Sequence, residues 1–147
     1  MKKNSGFSLL ELLIVVAIIL IIATIAIPSL LRSRQAAQES SAVSNIRTIN
    51  TAEVTYLSSN AGNYGSLPEL VTAGLLDTRF ATSQVSGYSF TVLASGSDYT
   101  ATATPTSTNA GRFGYYSTPD AVVRYQTAVT TVCAPCFPTN QSGAPVQ

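Results

Sequence analysis

A run of apolar residues near the N-terminus constrains this chain more than any other feature of its sequence. Every residue from Leu12 to Ile27 is apolar except Thr24, and the apolar character extends from Phe7 to Leu31. A helix needs about 20 predominantly apolar residues to cross a bilayer. The run therefore predicts a membrane-spanning helix at the start of the chain.

The charges beside this run predict its orientation in the membrane. Lys2 and Lys3 precede it, and Arg32 and Arg34 follow it. Cytoplasmic flanks are enriched in cations, and the first helix usually determines the orientation. We therefore expect the N-terminus to face the cytoplasm, although Arg32 and Arg34 oppose that orientation.

Glu11 lies at the head of the apolar run and separates three interpretations of it. In a secretory signal peptide the run would be shorter, about 7–15 residues, and Thr24-Ile25-Ala26 is a poor cleavage site. In a permanent membrane anchor Glu11 is unexplained, because a carboxylate in the apolar region costs about 2.5–3.5 kcal/mol. That cost falls if the carboxylate has a partner or lies at the interface. The third interpretation gives Glu11 a partner.

The residues GFSLLELL, Gly6 to Leu13, resemble the N-terminus of a type IV prepilin. In both, a short basic leader ends in Gly and is followed by Phe, by Glu at the fifth position after the Gly and by an apolar helix. The resemblance implies that a prepilin peptidase cleaves between Gly6 and Phe7 and N-methylates Phe7. It also implies that Glu11 pairs with the Phe7 amine of a neighbouring subunit, and that the helix kinks or melts at Pro28.

The implied ion pair agrees with the physical chemistry of the membrane. A carboxylate and an ammonium group are each costly in hydrocarbon, and pairing Glu11 with the Phe7 amine reduces both costs. A pair within one subunit is also conceivable, because the two residues are four apart on a helix. Pro28 lacks an N–H group, so we expect a kink or a locally unwound turn over residues 23–28.

Beyond the bilayer the helical pattern continues and then gives way to a strand pattern. Apolar residues at steps of three or four predict an amphipathic helix to about residue 57, with Ser, Asn, Arg and Glu on its other side. The sequence Asn60-Ala61-Gly62-Asn63 favours a helix end, and SLPELVTAG predicts a second helix, Leu67 to Ala73, capped by Ser66. The residues that carry the apolar pattern are Val43, Ile46, Ile49, Ala52 and Tyr56.

Four segments with a period of two predict a small antiparallel sheet, packed on the second half of the long helix. They are 87–94, 98–105, 111–119 and 121–128, rich in Val, Thr, Tyr and Phe and separated by turn residues. The predicted fold is α+β with about four strands, which is also the general plan of pilins. The Pro-rich end of the chain predicts a loop or a mobile tail.

The predicted organisation has six parts, from the leader to the tail. They are a leader removed on maturation (1–6), a transmembrane and filament-core helix (7–31), the amphipathic half of that helix (32–58), a loop with a short helix (59–84), the sheet (85–128) and a Cys- and Pro-rich loop or tail (129–147).

The composition argues against an enzyme. The chain has no histidine, and only 10% of its residues are charged, which removes histidine-based catalysis and most zinc sites. The net charge of +1 offers no basic field for nucleic acid. We therefore predict no catalytic residue, cofactor, metal or direct nucleic-acid site.

A few residues remain as weaker candidates. Cys133 and Cys136 lack the βαβ setting of a redox site, and we interpret them as a small local disulfide in an oxidising compartment. Asp98 and Asp120 are isolated carboxylates and weak candidates for calcium. Asn140-Gln141-Ser142 fits a glycosylation sequon. The tyrosines lie at strand spacing, which favours sheet and core positions over an electron-carrying stack.

The resemblance implies a function that depends on assembly rather than on chemistry at a site. The chain would polymerise as a helical homopolymer into a type IV pilus that supports adhesion, twitching motility or DNA uptake. Its other partners would be the prepilin peptidase and an inner-membrane assembly platform with its motor. The precursor would lie in the inner membrane with a periplasmic head, before export to an extracellular pilus or a periplasmic fibre.

Two other functions remain open from the sequence. A pseudopilin of a type II secretion system would carry the same N-terminal signal and build a short periplasmic fibre. A membrane-anchored periplasmic binding protein is a more distant alternative.

Overall fold

The apolar run and the amphipathic stretch after it form one α-helix. In the computed structural model the chain is described over residues 7–82, 84–127 and 143–146. Helix α1 is Leu9–Ser59 and includes Pro28. The helix continues through Pro28, and the kink or locally unwound turn expected over residues 23–28 stays a prediction.

The chain divides into two compact units, residues 1–34 and 35–147. The described part of the first unit is 7–34, and its apolar side chains are exposed. An 18-residue window of α1 near the N-terminus has a mean hydropathy of 3.1, and none of that window is buried. Within the described residues, α1 is the one helix long and apolar enough to cross a membrane.

The second unit, called the head below, contains the remaining elements. Helix α2 is Leu67–Thr72, and a 3-10 turn is formed by Thr78–Thr82. The described strands pair in chain order, each antiparallel to the next, in a six-stranded sheet. They are β1 (Gln84–Val85), β2 (Tyr88–Ser95), β3 (Asp98–Pro105), β4 (Phe113–Ser117), β5 (Arg124–Thr127) and β6 (Ala144–Pro145).

The sheet confirms the α+β class and corrects the number of strands. The four predicted segments correspond to β2 to β5, whereas β1 and β6 were not predicted. Each of these has only two residues, too few to show a period of two. The prediction of a loop or mobile tail was wrong for Ala144–Pro145, where β6 pairs with β5, and the Val146 N–H then donates to the Val123 carbonyl (2.8 Å).

The ends of both helices follow their sequence signals to within two residues. Helix α1 ends at Ser59 rather than residue 57, and Ala61 and Gly62 then take positive φ values of 53° and 80°. Such left-handed residues commonly terminate helices. At the start of α2 the Ser66 N–H donates to the Glu69 carboxylate (2.7 Å), so Ser66 is the N-cap as predicted. The helix ends at Thr72, one residue before the predicted end.

The core of the head lies between the second half of α1, helix α2 and one face of the sheet. The apolar residues predicted to face the head are buried or half-buried on α1. The tyrosines of the strands are core residues, as their spacing indicated, with Tyr125 half-buried. The largest fully buried side chains include Tyr88, Tyr99, Tyr116, Phe80, Phe90, Ile46, Ile49 and Leu70.

Shortening Ile46 should destabilise the head. Its side chain is fully buried in the core, so Ile46→Ala is expected to lower the free energy of unfolding by about 2–5 kcal/mol through lost burial and the cavity left behind. Near-UV circular dichroism during urea unfolding measures this, because the chain has seven tyrosines and no tryptophan.

Val54 on the same helix is the matched control. It is 54% exposed, so Val54→Ala should change the free energy of unfolding by about 0.5 kcal/mol or less. Equal losses in the two variants would contradict the packing of α1 described above.

Candidate functional site

Glu11 closes the first turn of helix α1. The helix begins at Leu9, which makes Ser8 the N-cap residue, and the Ser8 N–H donates to Oε2 of Glu11 (3.1 Å). This is the Glu half of a capping box, in which Glu at the third helical position accepts from the N-cap N–H. The spacing Ser-x-x-Glu was the sequence signal for this role, and our sequence interpretation missed it.

The capping contact gives the Glu11 carboxylate a second reason for its position. A negative charge in the first turn is favoured by the partial positive charge at a helix N-terminus. Glu11 thus has a local partner in the single chain, while the pair with the Phe7 amine of a neighbouring subunit stays a prediction. Phe7 itself is 82% exposed, and Gly6, on the other side of the predicted cleavage site, lies outside the described residues.

The large apolar side chains of α1 in the first unit are exposed. Apolar residues at steps of three or four form a shallow strip along one side of this part of the helix. Exposure of apolar surface to water costs roughly 25 cal/mol per Å². Large contiguous patches of this kind mark membrane or protein contacts. The strip is formed by Leu9, Leu12, Leu13, Val16, Ala17 and Leu20.

Asn50 connects the second half of α1 to the sheet. Its Nδ2 donates to Oγ of Ser117 on β4 (2.8 Å) and to the Ala121 carbonyl (3.3 Å). The Tyr99 hydroxyl on β3 donates to Oδ1 of Asn50 (3.0 Å). Because Asn50, Tyr99 and Ser117 are all buried, this network is protected from water and fixes the rotation of the helix against the sheet.

Glu39 makes the ion pair nearest the start of the head. The backbone N–H of Arg112 donates to Oε1 of Glu39 (2.8 Å), and Nη2 of Arg112 lies 3.2 Å from Oε2 of Glu39. Gln35, one turn earlier, donates from Nε2 to the Thr108 carbonyl (2.9 Å). The guanidinium of Arg112 is largely exposed, whereas the side chain of Glu39 is 10% exposed. These contacts attach the first helical turns of the head to the segment before β4.

Glu53 binds the loop that follows α1. It is fully buried, and its Oε2 accepts the Gly65 N–H (3.0 Å). Among the described residues its Oε1 has no hydrogen-bond partner. Burial raises the pKa of Glu53, and the nearby Glu69 acts in the same direction, while the Gly65 N–H opposes it.

These buried polar residues correct one prediction about α1. The sequence interpretation placed Asn and Glu on the side of the helix away from the head, but Glu39, Asn45, Asn50 and Glu53 are buried. Glu39, Asn50 and Glu53 lie three or four residues from apolar core positions, so they belong to the same stripe. Hydrogen bonds with partners that are distant in the sequence, such as Arg112 and Tyr99, offset the free-energy cost of burying Glu39 and Asn50.

The remaining candidates are engaged elsewhere or lie outside the described residues. Asp120 accepts from the guanidinium of Arg124 and from the Thr118 hydroxyl, and the bond from Arg124 lowers the pKa of Asp120. Asp98 is exposed at the start of β3. In the described ranges no three Asp, Glu, Cys or His side chains form a group suited to a metal ion. Cys133, Cys136 and the sequon at 140–142 lie outside the described residues.

Comparison with known proteins finds a matching family model and a similar pilin. Residues 1–27 match the family model described as the prokaryotic N-terminal methylation motif. The chain is also similar to the type IV major pilin protein PilA of Myxococcus xanthus (strain DK1622), with 38% identity over 56 residues. That stretch is 38% of this chain and 26% of the relative, so the chain matches about a quarter of the relative's length. No solved structure matches the chain significantly.

The motif and the apolar helix together define the class of the protein. A methylation motif that runs into a helix able to span a membrane indicates a membrane-anchored precursor. Within this class, the chain is similar over part of its length to a type IV major pilin, and its long helix and antiparallel sheet match the fold that the resemblance implied. The resemblance identified from GFSLLELL is therefore confirmed.

The stability of the head should fall as Glu53 ionises. Because the pKa of Glu53 in the folded head is raised above its ordinary value of 4.5, the folded state holds a proton that the unfolded chain releases. The resulting stabilisation is complete below pH 4.5 and is lost as the pH rises through the raised pKa. Urea unfolding of Glu53→Gln, whose amide still accepts from Gly65, should show a flatter decline over this range than the parent.

Glu69 provides a control, because its effect on stability changes with pH in the opposite direction to that of Glu53. Hydrogen bonds from the Ser66 side chain and backbone lower the pKa of Glu69, so its stabilisation is present above pH 4.5 and is lost as the pH falls. Glu69→Gln should therefore reduce stability at neutral pH. It should lessen but not remove the decline due to Glu53, because burial is the main cause of the raised pKa of Glu53 and the Glu69 charge adds to it. Identical pH profiles for the parent and Glu53→Gln would contradict the assignment of that decline to Glu53.

Proposed function

We propose that this protein is a non-enzymatic structural subunit that polymerises through helix α1 into a type IV pilus. The observation that carries the proposal is the uncovered apolar surface of α1 in the first unit, joined to an N-terminal methylation motif. Lipid covers such a surface in the precursor. The α1 helices of neighbouring subunits cover it in the fibre.

Maturation supplies the charge that assembly requires. Cleavage between Gly6 and Phe7 creates an amine on Phe7, which stays basic after methylation. The Glu11 carboxylate of a neighbouring subunit pairs with that amine inside the fibre, where an unpaired charge would be costly. The pair fixes the axial position of each incoming subunit, because only one register brings the two groups together.

The head does not take part in the helix packing of the fibre core and faces outward. In the head, the apolar residues on the second half of α1 are already buried in the core. This half of the helix therefore needs no neighbouring subunit to cover them. The similarity to a major pilin supports a structural role in the fibre, and we propose that this fibre serves adhesion, twitching motility or DNA uptake. The prepilin peptidase, the assembly platform and its motor are the partners that this role requires.

Substitutions at Glu11 separate its two roles. Glu11→Gln keeps an oxygen that accepts the Ser8 N–H but removes the charge, whereas Glu11→Val removes both. If the charge directs assembly, both variants should be cleaved after Gly6, and both should reduce filament yield by more than about tenfold, since an uncompensated buried charge costs about 3–5 kcal/mol. Electron microscopy of sheared filaments and the mass of the processed chain measure the two effects.

Thr24→Val is the matched control on the same helix. The Thr24 hydroxyl donates to the Ile21 carbonyl within its own helix (2.7 Å), so its loss should leave filament yield near that of the parent. Normal filaments from Glu11→Gln, with loss only in Glu11→Val, would assign Glu11 to capping and contradict the ion pair. Filaments at the cell surface distinguish a pilin from a periplasmic pseudopilin.

A further inference from the structure

Arg32 and Arg34 are two exposed cations that the proposed function does not use. They follow the apolar run directly, and the described residues give neither of them an ion pair or a side-chain hydrogen bond. By contrast, Arg112 pairs with Glu39 and Arg124 pairs with Asp120. Within the part of the chain that the structure describes, the two arginines at the end of the run therefore present free guanidinium groups.

Their spacing on the helix argues against a single protein partner. Residues two apart on an α-helix point about 200° away from each other, so Arg32 and Arg34 project from nearly opposite sides of α1. One neighbouring helix cannot contact both. A layer of phosphate groups that surrounds the helix contacts both at once.

Their axial position agrees with a layer of lipid headgroups. Glu11 and Arg32 are 21 positions apart in the first unit, which corresponds to about 32 Å of helix. The hydrocarbon core of a bilayer is about 30 Å thick. When Glu11 lies at one interface, Arg32 and Arg34 therefore lie at the other.

The acidic residues of α1 offer a second copy of the chain little to bind there. Glu39 is engaged by Arg112, and Glu53 is fully buried against the loop. Glu11 is the remaining acidic residue of α1, and it lies at the opposite end of the apolar run. Charge complementarity thus favours lipid phosphate over a carboxylate of a neighbouring helix.

We propose that Arg32 and Arg34 bind the phosphate groups of phospholipids in the leaflet that faces the head, with a preference for anionic phospholipids. Guanidinium groups form bidentate hydrogen bonds with phosphate. Together with Glu11 at the other interface, the two arginines set the depth of the subunit in the membrane before assembly. The inference rests on the proposed function for the orientation of the chain, and its test does not depend on filaments.

A single tryptophan near the arginines allows a direct measurement. The chain has none, and Leu30 is an exposed apolar residue of α1, so the full chain with Leu30→Trp is reconstituted in vesicles of equal parts phosphatidylcholine and phosphatidylglycerol. Fluorescence quenching is compared when either lipid carries bromine. We expect stronger quenching by brominated phosphatidylglycerol, with a preference of about fivefold for each arginine.

Three variants in the same background identify the source of that preference. Arg32→Gln with Arg34→Gln should abolish it, whereas Arg32→Lys with Arg34→Lys should keep most of it, because the charge remains. Arg47→Gln removes an exposed arginine of the head and should leave the preference unchanged. Far-UV circular dichroism verifies that each variant keeps its helix.

Two results would overturn the inference. One is equal quenching by the two brominated lipids in the parent. The other is a preference that survives Arg32→Gln with Arg34→Gln, or that Arg47→Gln reduces to the same extent. Failure of the pilin proposal itself has a different readout, namely an uncleaved chain and no filaments, so the two failures are distinguishable.

Discussion

The uncovered apolar surface of α1 is the constraint on which the other features of this protein depend. The large apolar side chains of 7–31 are exposed, so the chain needs either a bilayer or other copies of itself. Such a surface agrees with the proposed function, in which the side chains that lipid solvates in the precursor pack against the helices of other subunits after cleavage.

In the head, the apolar residues of the same helix are buried rather than exposed. There α1 buries Ile46 and Ile49 and also carries polar residues that bind the sheet and its loops, chiefly Asn50, Glu39 and Glu53. Polar contacts of this type fix how the helix is rotated against the sheet, which apolar packing alone specifies less strictly. One half of the helix is thus left free for partners, and the other half is held by the head.

The sequence predicted much of this architecture because its signals are local. The apolar run, the Ser66 cap, the Asn60-Ala61-Gly62 stop and the alternating strands each follow from short-range preferences. The two-residue strands were missed because they have no period, and the burial of Asn50 and Glu53 was missed because their partners are distant in the sequence. At Glu11 the resemblance indicated assembly, while the spacing to Ser8 held a capping signal that was overlooked.

The central claim is that Glu11 acquires its assembly partner when the leader is removed. Intact-mass and N-terminal fragment analysis of the protein purified from its native membrane or fibre tests that claim most directly. The account predicts a chain that begins at Phe7 and carries one methyl group on its amine. A chain that still begins at Met1, or one cleaved near Ile27, would contradict it.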